Sequence, residues 1–208
     1  MKKIVIVGNG GFAKEVFWMI KRINAIKPTW DFLGFIDRDS SNEKCVIGND
    51  DFVCKVNEEL NVVIAIGTSN IRNRLYAKYA ENVNVLFPNI IDPSAIVSDR
   101  VQIGCGNIIC PGAIVSVDTA IGNCSIINMG CTIGHDVVIE NFVTISPGTN
   151  LSGKTHIESG CEIGAGTQTI PGIRIKSDSI IGAGAVVNKD LPSNCTAVGV
   201  PARVIKIK

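Results

Sequence analysis

The chain has 208 residues, 46% hydrophobic and 19% charged, with 20 basic and 19 acidic residues for a net charge of +1. That size and apolar content suffice for a buried core, divided between two small domains. The charge balance, with no basic run longer than Lys2-Lys3, excludes the usual footprint of a nucleic-acid or anionic-membrane partner.

The apolar run Ile4 to Val7 stops at Gly8, too short for a signal peptide or a membrane span, so the cytoplasm is the expected location. The run reads as a strand, Lys2 to Val7. It leads into Gly8-Asn9-Gly10-Gly11-Phe12-Ala13-Lys14-Glu15, after which Val16, Phe17, Met19, Ile20 and Ile23 recur at helical spacing. Such a glycine turn presents free N–H groups at a helix N-terminus, where phosphate oxygens are favoured; packing alone is the competing explanation. A second strand, Phe32 to Ile36, ends in Asp37, about where an acidic group meets a ribose hydroxyl in βαβ nucleotide folds. A third, Val62 to Ile66, ends at Gly67 and precedes a helix from Asn70 to Tyr79.

Three strands that end in glycine or an acid on one edge of a parallel sheet describe a ligand edge. The domain runs out near Phe87-Pro88, which leaves room for one mononucleotide half: a full NAD site is disfavoured, and a nucleotide or nucleotide-linked ligand fits better. Arg72 and Arg74 are expected on the solvated surface, with a ligand role the lesser alternative. Cys45 to Asn61 carries no clear pattern, and Pro88 to Pro93 reads as the joint between domains.

From Ile91 an aliphatic residue returns every six positions to Val187, and only Thr169 in that series is not aliphatic. Six fits neither a helix face nor a flat strand, but it fits a hexapeptide-repeat β-helix in which short parallel strands turn corners. With three hexads to a coil, residues eighteen apart stack in three columns: Ile91 to Ile181, Val97 to Val187, and Ile103 to Ile175. Among the eight cysteines no pair has CxxC spacing, so metal binding is not expected; Cys131 and Cys161 take small inward positions as compact apolar groups.

The only two histidines, His135 and His156, both fall in the repeat. They are twenty-one residues apart against a coil of eighteen, which puts them on different edges. His135 is followed directly by Asp136, a carboxylate able to fix the ring's tautomer if the pair lies at a turn. A surface or packing histidine is the competing reading.

Three features stand together: the short βαβ domain with GNGGFAKE, the hexad array with Gly134-His135-Asp136 in its middle coil, and the terminal Gly199-Val200-Pro201-Ala202. With them the chain resembles the bacterial sugar acetyltransferases of the NeuD and PglD type, which modify sialic acids or nucleotide-linked amino sugars. The resemblance implies a Rossmann-like βαβαβ domain over residues 1–87 and, over 88–208, a left-handed parallel β-helix, opposite in hand to the usual crossover rule. It also implies homotrimers that hold acetyl-CoA between neighbouring helices, with no metal and with each active site shared by two subunits. His135 would be the general base and Asp136 its orienting partner, where relatives often carry Glu. The Gly153 N–H would meet the thioester carbonyl, and Ala165 and Ala183 would line the coenzyme groove. Gly10, Gly11, Phe12, Asp37, Arg38 and Gly67 would hold the sugar nucleotide. Thr144 stands where some relatives place a second histidine near the coenzyme.

The implied activity is N-acetylation of a nucleotide-linked amino sugar, of the 4-amino-4,6-dideoxy type, for a surface polysaccharide or glycan. O-acetylation of a sialic acid or another free sugar competes with it, as does, from another class, a non-catalytic trimeric binding scaffold.

Overall fold

The structure, a computed structural model, describes residues 1–38 and 45–207. Its amino-terminal part is a parallel sheet built from β1 (Lys2–Val7), β2 (Trp30–Ile36), β3 (Val46–Gly48), β4 (Leu60–Ile64) and β5 (Val85–Leu86) in the order β3-β2-β1-β4-β5. Helices α1 (Gly11–Ile26), α2 (Asp50–Cys54) and α3 (Ser69–Tyr79) connect them.

The central strand β1 is apolar at four successive positions because both its faces are covered. Ile4 and Ile6 join a cluster with Ala13, Val16, Met19 and Ile20 of α1; Val5 and Val7 join one with Val53 of α2 and Leu75 and Tyr79 of α3. Helix α1 stops at Lys27, ahead of Pro28, which cannot continue it. The segment without a sequence pattern holds β3 and α2. The cap of α2 is made by the Asn49 side chain, which accepts from the Asp51 N–H at 2.9 Å.

Two strands differ in their bounds from those predicted. β2 begins two residues early, at Trp30, and β4 is Leu60–Ile64 rather than Val62 to Ile66. The Ala65 N–H still donates to the Val7 carbonyl at 2.9 Å, after which the chain leaves the ladder. Ile66 is apolar because it lines a cleft, not because it belongs to the strand.

From Ile90 to Val187 the chain forms two-residue strands six residues apart, each paired in parallel with those eighteen residues before and after it, as in Ile109–Ile127–Ile145. They sort into a six-, a five- and an eight-stranded sheet, the three faces of a left-handed parallel β-helix. The inward aliphatics are buried from Ile109 upward. One corner repeats a left-handed turn in Gly112, Gly130, Gly148, Gly166 and Gly184, with φ between 64° and 69°; glycine recurs there because it adopts this geometry without steric cost. The eight-stranded sheet ends in Cys195–Val198 and the antiparallel Arg203–Ile207, joined through the Gly199-Val200-Pro201-Ala202 turn.

The one polar member of the inward columns is satisfied internally. Thr169 Oγ1 accepts from the Ser152 N–H at 2.9 Å and lies 3.0 Å from Thr155 Oγ1. Thr169→Val, although it restores an aliphatic column, is therefore expected to destabilise the chain by about 1 kcal/mol, because the half-buried Ser152 N–H loses its acceptor. A midpoint in chemical denaturation equal to or above the parent's would show that the column, not the hydrogen bond, governs this position.

The amino-terminal part sits on the eight-stranded face. Helix α1 lies between its own sheet and that face, where the outward residues Ile90, Ile108 and Ile126 are buried. This explains the doubled isoleucines Ile90-Ile91, Ile108-Ile109 and Ile126-Ile127: one of each pair points inward and the other is covered by α1. The junction is also polar. Arg22 makes a bidentate pair with the buried Asp92 carboxylate at 2.7 and 3.1 Å, and Glu162 Oε1 accepts from the Ser69 N–H at the start of α3 at 2.9 Å. Among the described residues no helix is long and apolar enough to cross a membrane.

Candidate active site

Two places carry most of the predicted site residues. The first is a cleft of about 220 Å³ at the carboxyl ends of β1, β2 and β4, lined by residues that include Gly8, Asp37, Arg38, Asp50, Ile66 and Arg74. Its floor is aliphatic and its rim charged. Burial works against the Asp50 carboxyl, but hydrogen bonds from Lys78 (2.9 Å) and the Tyr79 hydroxyl (2.7 Å) outweigh it and hold the group below the usual carboxylate range.

Asp37 and Arg38 are thus brought to one cleft, and Gly10, Gly11 and Phe12 open α1 beside it. Packing accounts for glycine at Gly8, where φ is +101° and a β-carbon would come 3.2 Å from the Ala65 carbonyl oxygen. It does not account for Gly10, Gly11 or Gly67, where a β-carbon would meet nothing within 4 Å. Those three glycines leave space that no described residue fills.

Arg74 lines the cleft, the lesser of the two places expected for it, and Arg72 is a correction. Instead of lying on the solvated surface, the Arg72 side chain is buried to 1% exposure in the junction between the two parts of the chain. Positions two apart on a helix face about 200° away from each other, so one arginine of the pair had to point inward and the other toward the cleft. Helical phase was the available signal.

The second place is the β-helix corner between the six- and five-stranded sheets. His135 Nδ1 lies 2.7 Å from Asp136 Oδ2, and Asp136 has a left-handed φ of 57°, so adjacent side chains converge at the turn that the pairing requires. The carboxylate accepts from Nδ1–H, which leaves the Nε2 lone pair as the basic site. The His135 side chain is 59% exposed. Gly153 stacks one coil above, and a β-carbon there would fall 2.5 Å from His135 Nε2, so the ring lies against a bare backbone. Among the described residues nothing accepts from the Gly153 N–H. A base and an unpaired donor on one exposed corner can serve proton transfer and the oxyanion of an acyl transfer.

His156 lies elsewhere, on the five-stranded face. Its Nε2 is 2.8 Å from Glu140 Oε1, while Glu140 Oε2 accepts from the Ser159 N–H and hydroxyl at 3.1 and 2.9 Å. This is a staple between coils.

Ala165 and Ala183 are exposed on successive coils at a third place, the corner between the eight- and six-stranded sheets, tied by a 2.8 Å bond from the Gly184 N–H to the Ala165 carbonyl. Thr144 lies on the eight-stranded face beside Gly67, to whose carbonyl its hydroxyl donates at 2.6 Å. Within one chain the His135 corner is opposite the face that carries the amino-terminal part. The chain therefore brings His135 together with Asp136 and Gly153, but not with the cleft, with Thr144 or with the two alanines.

Comparison with known proteins bears on both places. Residues 3–79 match the family described as PglD N-terminal domain, and residues 154–189 match bacterial transferase hexapeptide (six repeats). No curated protein matches. Among solved structures, PerB from Caulobacter crescentus in complex with CoA and GDP-perosamine is 31% identical over 99% of this chain and 98% of that one, with a TM-score of 0.91. A histidine mutant of perosamine N-acetyltransferase from the same organism, with the same two ligands, is 29% identical over the same shares, with a TM-score of 0.92. The acetyltransferase domain of PglB from Neisseria gonorrhoeae FA1090 in complex with acetyl coenzyme A is 28% identical over 98% and 99%, with a TM-score of 0.89.

Proposed function

We propose, because the chain belongs to the NeuD/PglD-like family of hexapeptide-repeat sugar acetyltransferases, that it moves the acetyl group of acetyl-CoA onto the amine of a nucleotide-linked amino sugar. The observation that carries this reading is the corner where His135 Nε2 lies against the backbone of Gly153, in a chain that also has a charged cleft at the carboxyl ends of its parallel strands. The sugar proposed is of the 4-amino-4,6-dideoxy class, destined for a surface polysaccharide or glycan, and the enzyme is placed in the cytoplasm. Support for the substrate class comes from PerB, which holds GDP-perosamine and CoA together.

In the mechanism, His135 Nε2 accepts a proton from the sugar amine as its nitrogen attacks the thioester carbonyl. The Gly153 N–H donates to the oxyanion of the tetrahedral adduct. As the adduct collapses the carbon–sulfur bond breaks, and the proton held by His135 passes to the departing thiolate. Asp136 keeps the ring oriented throughout. Transfer is taken to be direct; five of the eight thiols are buried, and burial pushes those of Cys110, Cys124 and Cys161 up to about 12.

Gly10, Gly11, Phe12, Asp37, Arg38 and Gly67 hold the nucleotide in residues 1–87, with Arg74 beside them to meet the diphosphate. Ala165 and Ala183 line the coenzyme groove in residues 88–208. Since His135 and the cleft face opposite sides of one chain, a homotrimer in which one subunit's cleft delivers the sugar to its neighbour's His135 is the assembly proposed.

Gly153→Ala tests the corner directly. The added methyl displaces the ring, and kcat is expected to fall about a hundredfold, since misplacement by about 1 Å has that effect; the unfolding midpoint should stay near the parent's. Unchanged turnover would remove Gly153 from the site. Calorimetry with GDP, UDP and dTDP tests the substrate class. One of them should bind, and Asp37→Asn should weaken it; if none binds, the acceptor is a free sugar such as a sialic acid.

A further inference from the structure

We infer, resting on the nucleotide reading of the cleft, that Thr144 is a positioning residue for the nucleotide-binding loop rather than a contact of the coenzyme. The loop in question follows β4. Ile66 lines the cleft, and a β-carbon on Gly8 would pack against Ala65 and Ile66, so the first and third loops form adjoining walls. Gly67, next along, has no side chain to anchor it and room for one.

What holds this wall comes from the other part of the chain. Thr144 belongs to the strand Thr144–Ile145 of the eight-stranded face, and its hydroxyl donates to the Gly67 carbonyl at 2.6 Å. The same oxygen accepts from Arg72 Nη2 at 2.9 Å, while Arg72 Nη1 donates to the carbonyls of Ile66 and Gly67 at 2.7 and 2.9 Å. The single hydroxyl proton of Thr144 is committed to Gly67, so toward a coenzyme it has a lone pair to offer and no donor. A loop fixed before the ligand arrives loses less freedom on binding and binds more tightly. Thr144 thereby ties the wall of the nucleotide cleft to the β-helix that carries the transfer chemistry.

The test is calorimetric titration of the parent, Thr144→Val and Thr144→Ser with whichever of GDP, UDP or dTDP the parent binds, together with the KM for acetyl-CoA of each. Valine keeps the shape and removes the hydroxyl. It is expected to weaken the nucleotide about three- to tenfold, the size of one hydrogen bond, with the KM for acetyl-CoA unchanged and with serine restoring the affinity. A merely structural role would lower the unfolding midpoint of Thr144→Val and leave its nucleotide affinity equal to the parent's, and that result overturns the inference. A raised KM for acetyl-CoA in Thr144→Val also overturns it, because it returns the residue to the coenzyme. A parent that binds none of the three nucleotides removes the nucleotide reading and this inference with it, whereas equal binding by parent and Thr144→Val removes the inference alone.

Discussion

Replacement of His135 by asparagine is expected to lower kcat by about 10²–10⁴-fold, the range that a positioned general base supplies, while the KM for both substrates changes little. Asparagine retains a polar head near Asp136 but cannot take up a proton, so the amine must be deprotonated by water. Stability should be untouched, because the ring is more than half exposed and makes its one hydrogen bond to its chain neighbour. Asp136→Asn should cost less, since it weakens the orientation of a base that is still present. Turnover of His135→Asn within a few-fold of the parent would mean that the proton leaves by another route.

Arg72→Met is expected to give the largest loss of stability, about 3–5 kcal/mol in the unfolding free energy. The guanidinium has five N–H bonds, and all five are used. Nε donates to the Cys124 carbonyl at 2.7 Å, Nη1 to those of Ile66 and Gly67, and Nη2 to the Phe142 carbonyl and Thr144 Oγ1, each at 2.9 Å. Burial pulls the group down to about 10, against the opposing pull of Cys124 and Glu162, so it remains a cation at neutral pH. Methionine fills much of the volume and takes the Arg72 donor from five acceptors at a buried junction, of which the Gly67 carbonyl keeps the Thr144 hydroxyl. Lysine keeps the charge and at most three of the bonds, and should recover part of the loss. Arg74→Met, on the exposed side of the same helix, should stay within about 0.5 kcal/mol of the parent. Equal midpoints for the Arg72 and Arg74 variants in denaturant would show that the junction adds nothing to stability.

The β-helix was legible in the sequence almost residue by residue. A period of six with an inward aliphatic leaves the chain little choice of register, and the observed pairs stand eighteen apart until the last coil, where Ile180 pairs with Thr196. The same count puts Gly153 one coil above His135, whereas the turn at His135–Asp136 was only a condition of their pairing until the structure supplied it. In the amino-terminal part, α1 and β1 were legible because each buries a patterned run. The end of β4 was not, since Ile66 is apolar for the sake of a cleft that periodicity cannot distinguish from a strand. β3 and α2 are too short to show a period at all. Arg72 was the clearest failure: four of its five acceptors are backbone carbonyls on separate loops and coils, and a carbonyl carries no residue identity from which a partner could be read. The role of Thr144 was hidden for the same reason, because it is set by the Gly67 carbonyl from 77 positions away.

Release of free thiol from acetyl-CoA measures directly the acetyl transfer to a nucleotide-linked amine proposed at the His135 corner. With GDP-, UDP- and dTDP-linked 4-amino-4,6-dideoxy sugars as acceptors, one nucleotide class should give thiol in step with N-acetylated sugar, and His135→Asn should abolish the signal. No thiol release with any of the three, from protein that binds the same nucleotide sugars in calorimetry, would contradict the account and leave a binding scaffold in its place.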